Sequence, residues 1–262
     1  MEANSSLLEQ FKENDDLYFK WFEFWLNFHP RKYQRKYLKS CLHNNKVIGI
    51  WSRQSGKSTS TAAYLVFRLF IGECSVMITA PTLTHSSELF YKIRNFININ
   101  PILKKEVVKF TATELILNNN SRAKALPSGT EGKSIRGFTA DIVVEEEAGI
   151  IDDYINNSVI MPMLASKGDE GQVIKIGTPL TKNHFFRSAY NDKSFDLTRV
   201  TWKECIEEGQ YSEQFVEDQR KNITDIQFLT EYQSEFVEEL ASMFPTSLLN
   251  ECMEDYNIFK YL

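Results

Sequence analysis

The run Val47-Ile48-Gly49-Ile50-Trp51 passes directly into Ser52-Arg53-Gln54-Ser55-Gly56-Lys57-Ser58-Thr59, and a stretch free of proline and glycine follows to about residue 70. The apolar run predicts a buried strand over 46–51, and the segment after Gly56 predicts a helix over 58–70. A strand that enters a helix through so tight a loop is half of a crossover unit, which commits the chain to a sheet with parallel strands. The loop also dictates chemistry. Its N–H groups point inward, the helix N-terminus adds a favourable dipole, and together they cradle phosphate oxygens. Gly56 lets the backbone approach the phosphates, Lys57 reaches the β- and γ-phosphates, and Ser58 offers a hydroxyl to Mg²⁺. The full loop, Ser52, Arg53, Gln54, Ser55, Gly56, Lys57, Ser58 and Thr59, is therefore assigned to nucleotide binding. One departure stands out: the first glycine of G-x-x-x-x-G-K-[ST] is missing, and Trp51 occupies its place.

The rest of the chain extends the same architecture. Further strands are expected over 74–79, 142–144, 172–176 and 195–201, with helices over 83–97 and 153–164 between them. Residues 106–126 read as short strands split by turns such as Asn118-Asn119-Asn120, an antiparallel insertion on the sheet edge. Residues 7–28 are rich in aromatics and predict one or two helices, the second nearly apolar all round and ended by His29-Pro30. Residues 203–240 read as short helices. The expected fold is an α/β P-loop NTPase of the RecA/ASCE-like type: a mostly parallel sheet flanked by helices, with an antiparallel edge insertion and a small C-terminal helical lid. The expected divisions are a helical extension over 1–30, an ATPase core over 31–200 and a lid or linker subdomain over 201–262.

A triphosphate-cleaving loop needs acids at the tip of a neighbouring strand, one for the metal and one to orient water. Ile142-Val143-Val144-Glu145-Glu146-Glu147-Ala148 supplies them. Glu146 is the favoured metal ligand and Glu147 the favoured water-orienting acid, with Glu145 and Glu146 as the alternative pair. Two arginines are candidates to neutralise transition-state charge: Arg53 inside the loop, acting in cis, and Arg136 in a glycine-flanked loop, reaching a neighbour's site. The choice between them stays open. Gln34 carries an amide suited to an adenine edge, and Thr178 in Gly177-Thr178-Pro179 is placed to sense the γ-phosphate.

Composition excludes several classes. The net charge is −5, so a constitutive nucleic-acid coat is disfavoured, and any DNA contact needs a local patch or several subunits. No apolar run approaches the roughly 18 residues of a membrane span, and the N-terminus lacks signal-peptide features, which points to a cytoplasmic protein. Cys41, Cys74, Cys205 and Cys252 contain no Cys-x-x-Cys pair, and the four histidines are scattered, so a zinc cluster or redox pair is not expected.

Over roughly 30–180 the chain resembles the ATPase domain of phage-type terminase large subunits. The resemblance rests on Tyr33-Gln34, similar to the adenine-reading Q motif; on the Ser52–Ser58 loop, similar to a deviant Walker A that also drops its first glycine; and on Ala80-Pro81-Thr82. It continues through Asn119-Asn120-Ser121-Arg122, Leu126-Pro127 and Ile135-Arg136-Gly137 to Glu146-Glu147-Ala148 and the coupling-like Gly177-Thr178-Pro179. A Glu at the usual Walker B aspartate and a third adjacent Glu depart from the pattern. The resemblance implies ATP with Mg²⁺, and hydrolysis that drives double-stranded DNA into a procapsid. It also implies a portal protein and small terminase subunit as partners, a homo-oligomeric ring, and residence in the host cytoplasm with transient docking on the procapsid. The family's nuclease domain is not evident, so an isolated motor domain is expected. Two other readings share these motifs: a superfamily 2 helicase-type ATPase, and a nucleotide-binding regulatory module that does not hydrolyse.

Overall fold

The structure, a computed structural model, describes residues 2–129, 132–179 and 185–237. Helices α1 (Glu2–Glu13), α2 (Asp15–Leu26) and α3 (Lys32–His43) precede strand β1 (Lys46–Trp51). Helix α4 (Lys57–Ile71), strand β2 (Ser75–Ala80), helix α5 (Leu83–Ile99) and the short α6 (Pro101–Lys105) follow. Strands β3 (Val107–Phe110), β4 (Glu114–Leu117) and β5 (Arg122–Pro127) form the insertion. Strands β6 (Ile142–Glu146) and β7 (Gln172–Gly177) are joined by a connection that includes α7 (Asp153–Ile155). Helix α8 (Phe185–Asn191), strand β8 (Asp196–Val200) and helices α9 (Trp202–Glu207), α10 (Glu213–Asn222) and α11 (Asp225–Glu231) complete the described chain.

The strands form one eight-stranded sheet in the order β3-β4-β5-β2-β6-β7-β1-β8. Only the β3–β4 and β4–β5 pairs are antiparallel; β5 itself joins β2 in parallel. The insertion thus sits on the edge, as its turn-rich sequence predicts. Strand order reverses direction around β6, β7 and β1, whose carboxyl ends share one rim of the sheet, the usual place for a ligand in an open α/β fold.

Each central strand is buried on both faces. Along β6, Ile142 and Val144 join the core beneath α4 and α5, while Val143 joins the core on the opposite face, as a period of two requires. The N-terminal helices seal the outer side of α4. Phe67 of α4 meets Phe11, Tyr18, Trp21 and Phe22 with ring centroids 5.0 to 5.8 Å away, distances at which edge-on aromatic contacts are favourable.

Two local expectations need correction. Helix α2 stops at Leu26, before His29-Pro30, because Asn27 adopts the left-handed conformation (φ 47°) and its N–H bonds to the carbonyl of Phe22; Asn tolerates that region well. The helix expected over 153–164 is broken into α7, a π-helical turn (Asn156–Ile160) and 3-10 turns over Met161–Glu170 that are interrupted by a kink at Gly168. Pro162 offers no N–H and crowds the preceding turn, and the Met161 N–H reaches back to Asn156 instead.

Cys41, Cys74 and Cys205 are free and buried, while Cys252 lies outside the described residues. Among the described residues no helix is long and apolar enough to cross a membrane.

Candidate functional site

The loop between β1 and α4 is held by its own backbone. The Ser52 N–H donates to Val200 on β8 (2.8 Å), and the Ser55 hydroxyl donates to the Ser52 carbonyl (2.6 Å). Positive φ occurs at Gln54 (56°) and Gly56 (90°). The space beside Gly56 is also tight: a Cβ there would lie 2.6 Å from Nε2 of Gln34, whose amide would have to shift. Trp51, by contrast, is the last residue of β1, so no glycine is needed at that position. Its indole is fully buried against Tyr33 and Tyr37 and donates to Thr198 (3.2 Å).

Gly56 caps α4, leaving the first N–H groups of that helix without intrahelical partners. They face a cleft of about 700 Å³ that the whole loop, Ser52 to Thr59, lines together with Glu146, Glu147 and Thr178. A cleft of this size suits a small organic ligand, and the free amides suit its anionic end.

The three successive glutamates part ways. The Ser58 hydroxyl donates to Oε1 of Glu146 (2.7 Å), while Oε2 of Glu146 is buried without a hydrogen-bond partner. Burial pushes the Glu146 carboxyl up to about 7, against the Lys57 charge and the Ser58 hydroxyl, which both pull it down. Glu147 lines the cleft in the left-handed region (φ 53°). A Cβ on Gly177 would come within 3.0 Å of the next residue's nitrogen, so β7 packs directly beneath that turn. Glu145 points to the other face of the sheet, fully buried, and its Oε1 accepts from Lys175 Nζ (2.6 Å), which also bonds Asn156 (2.6 Å). Of the two acid pairs weighed from the sequence, only Glu146 and Glu147 both face the loop.

The arginines also separate. Arg53 lines the cleft; its Nη1 is 3.5 Å from Glu231, and its N–H donates to the Glu231 carbonyl (2.8 Å). Arg136 is exposed, donates to the Tyr154 hydroxyl (3.2 Å) and does not line this chain's cleft. The expectation for Gln34 needs correction. Gln34 is 2% exposed, its carbonyl oxygen accepts from the Arg31 N–H (2.9 Å), and its amide nitrogen lies against Gly56. The side chain buttresses the loop from behind and does not face the cleft. Tyr33 does the same, donating to the Ser55 carbonyl (2.9 Å).

Sequence reasoning passes over several cleft residues. His85, Glu88 and Lys92 come from α5, Gln210 from the turn between α9 and α10, and Glu231 from the end of α11. Gln210 donates to the Gln54 carbonyl (2.8 Å), and the Tyr211 and Ser52 hydroxyls pair at 3.2 Å, so the loop rests against the α9–α10 turn. The i, i+3, i+7 spacing of His85, Glu88 and Lys92 is a readable signal of a shared helix face, although it does not say what that face meets.

The model of the family "Terminase large subunit, T4likevirus-type, N-terminal" matches residues 48–251. Among solved structures, the large terminase ATPase domain of Thermus phage P74-26 is similar, with a TM-score of 0.68 at 21% identity, covering 83% of this chain and 98% of that one. The large terminase of bacteriophage HK97 aligns with a TM-score of 0.62 at 17% identity, over 79% of this chain and 51% of that one. The large terminase of a thermophilic bacteriophage, in complex with ADP, aligns with a TM-score of 0.61 at 13% identity, over 79% of this chain and 54% of that one. The chain thus spans about half the length of the last two, and at these identities the likeness is one of fold. No curated protein sequence matches the chain. With the family model covering most of its length, the chain belongs to the T4-like terminase large subunits, as their N-terminal region.

Proposed function

We propose that this chain is the ATPase of a DNA-packaging motor, hydrolysing ATP to drive double-stranded DNA into a viral procapsid. The observation that carries the reading is the Ser58–Glu146 hydrogen bond of 2.7 Å, which brings the loop hydroxyl and a strand-tip acid to one point beside Lys57. The residues fit Mg²⁺. A hydroxyl and a carboxylate oxygen are hard donors, and the second Glu146 oxygen is buried with no partner, as expected of a ligand awaiting a cation. Mg²⁺ takes its remaining ligands from phosphate and water. Ser58 and Glu146 would hold the ion, and its charge would offset that developing on the phosphate oxygens.

The chain's own groups divide the remaining work. The loop amides and Lys57 grip the phosphate tail. Glu147 orients a water for in-line attack, and Thr178 at the end of β7 reports the state of the terminal phosphate. Arg53 acts from within the loop once released from Glu231; Arg136, exposed beside Tyr154, acts on the site of an adjacent subunit. Residues 31–200 form the motor core and 201–262 the lid, of which 238–262 lie outside the described residues. Duplex DNA, a portal protein and a small terminase subunit are the partners, and a ring on the procapsid in the host cytoplasm is the working form. A ring also answers the charge problem, since several subunits concentrate local positive charge around one duplex.

ATP turnover measured against protein concentration tests this. Lys57→Ala should reduce turnover to background, and wild-type turnover should rise with concentration. Mixing Arg136→Ala with Lys57→Ala should restore part of the rate. A Lys57→Ala protein that hydrolyses ATP as well as wild type would refute the assignment.

A further inference from the structure

Helix α5 starts beside the cleft and runs away from it. Thr82 caps it, accepting from the His85 N–H, and Leu89, Phe90, Ile93, Phe96 and Ile97 bury its inner face. His85, Glu88 and Lys92 occupy a different face and line the nucleotide cleft. Side chains on a helix lean towards its N-terminus, which carries the Lys92 ammonium back towards the rim that bears the acids. The sheet order fixes which part of the cleft this is. Helix α5 follows β2, and β2 lies beside β6, on the side of Glu146 and away from β8. The wall is therefore the one nearest the hydrolytic acids, where a terminal phosphate would sit.

Charge accounting singles out Lys92. The other cationic side chains lining the cleft are Arg53, Lys57 and, when protonated, His85; Arg53 is engaged by Glu231. Lys57 belongs to the loop. Lys92 makes no ion pair among the described residues, although Glu88 stands one turn before it, and it lines the same cleft as Glu146. An uncommitted ammonium in a cleft built for a polyanion is a strong candidate for a direct phosphate contact.

We propose that Lys92 is a second phosphate-binding lysine of this site, contacting the terminal phosphate of the bound triphosphate from the α5 wall while Lys57 contacts it from the loop. The inference rests on the ATPase reading and adds a residue to it. Lys92 holds the γ-phosphate in the substrate and retains its grip as inorganic phosphate separates, so it distinguishes triphosphate from diphosphate.

The experiment measures dissociation constants for ADP and for a non-hydrolysable triphosphate analogue, both with Mg²⁺, in wild type, Lys92→Met and Lys92→Arg. Met keeps the aliphatic stem and is a good helix former, and the melting temperature of each variant verifies its fold; Lys92→Gln serves as a second neutral variant. Loss of a charge-assisted contact predicts roughly tenfold or greater weakening for the triphosphate analogue in both neutral variants. ADP binding should stay within about twofold, and Lys92→Arg should restore most of the discrimination. Equal weakening of both nucleotides, or no change in either, overturns the proposal while leaving the ATPase reading intact. Wild-type protein that binds neither nucleotide overturns the ATPase reading itself.

Discussion

The two faces of β6 carry two buried carboxylates, one residue apart, that meet different partners. Below the sheet, Glu145 meets Lys175 and, through it, Asn156, with both distances at 2.6 Å. Above it, Glu146 has one oxygen on Ser58 and, among the described residues, forms no ion pair. The lower pair is closed, and charge there balances charge; burial lowers the Lys175 pKa while Glu145 raises it. The upper acid is incomplete, and burial above all drives its pKa to about 7. Burial by itself therefore does not mark a functional acid. The mark is a charge left unanswered at a rim where a ligand's own charge can answer it.

Measurements on each face put this contrast at risk. The largest effect should follow from opening the closed side. Glu145→Ala removes the buried carboxylate that pairs with the Lys175 ammonium, and should destabilise the fold by about 3–5 kcal/mol in urea titrations. Glu145→Leu combined with Lys175→Met should recover most of that loss, since an apolar pair of similar volume replaces both charges. A Glu145→Ala protein as stable as wild type would place that glutamate among the dispensable groups.

The open side should behave in the reverse manner. Glu146→Gln should lower ATP turnover by about 100-fold or more while the nucleotide-free fold becomes more stable at pH 8. The sign follows from linkage. A carboxyl raised from 4.5 to about 7 holds its proton in the folded state across a window where the unfolded chain has lost it. Stability then falls as pH rises through that window and levels off above 7. The swing should be about 3 kcal/mol by calorimetry, absent in Glu146→Gln, and suppressed by Mg²⁺ and nucleotide. A smaller effect is expected beside the turn. Gly177→Ala would press on the backbone of Glu147 and Ala148 from 3.0 to 3.4 Å, displacing Glu147 by a few tenths of an ångström. Turnover should fall by about tenfold, with nucleotide affinity held within a factor of two.

Much of this is legible in the sequence. The apolar runs of β1, β2, β6 and β7 and the Gly56-Lys57-Ser58 loop are local signals, and they place the parallel sheet and its ligand rim. Period-two alternation already separates Glu145 from Glu146. It does not say which of the two faces meets the loop, because that depends on α4 crossing back over one particular side. Gln34 misleads for a similar reason: an amide near a nucleotide loop reads as a base-reader, and only the close approach to Gly56 reveals a buttress. The α5 row is visible as a helix face without a neighbour. The break at Pro162 and the cap at Asn27 are local facts, and the nearby Pro30 offers a more obvious stop signal than Asn27.

The indole at position 51 has a practical consequence for finding related sequences. A genome scan that demands glycine at both ends of the phosphate loop would pass over this chain, since the strand's final residue is a large ring locked among tyrosines. Only the later glycine is favoured by backbone geometry, with φ at 90°. A search template built on that single glycine, together with a hydroxyl-bearing helix start and an acid-tipped apolar strand downstream, would retrieve sequences that the familiar spelling discards.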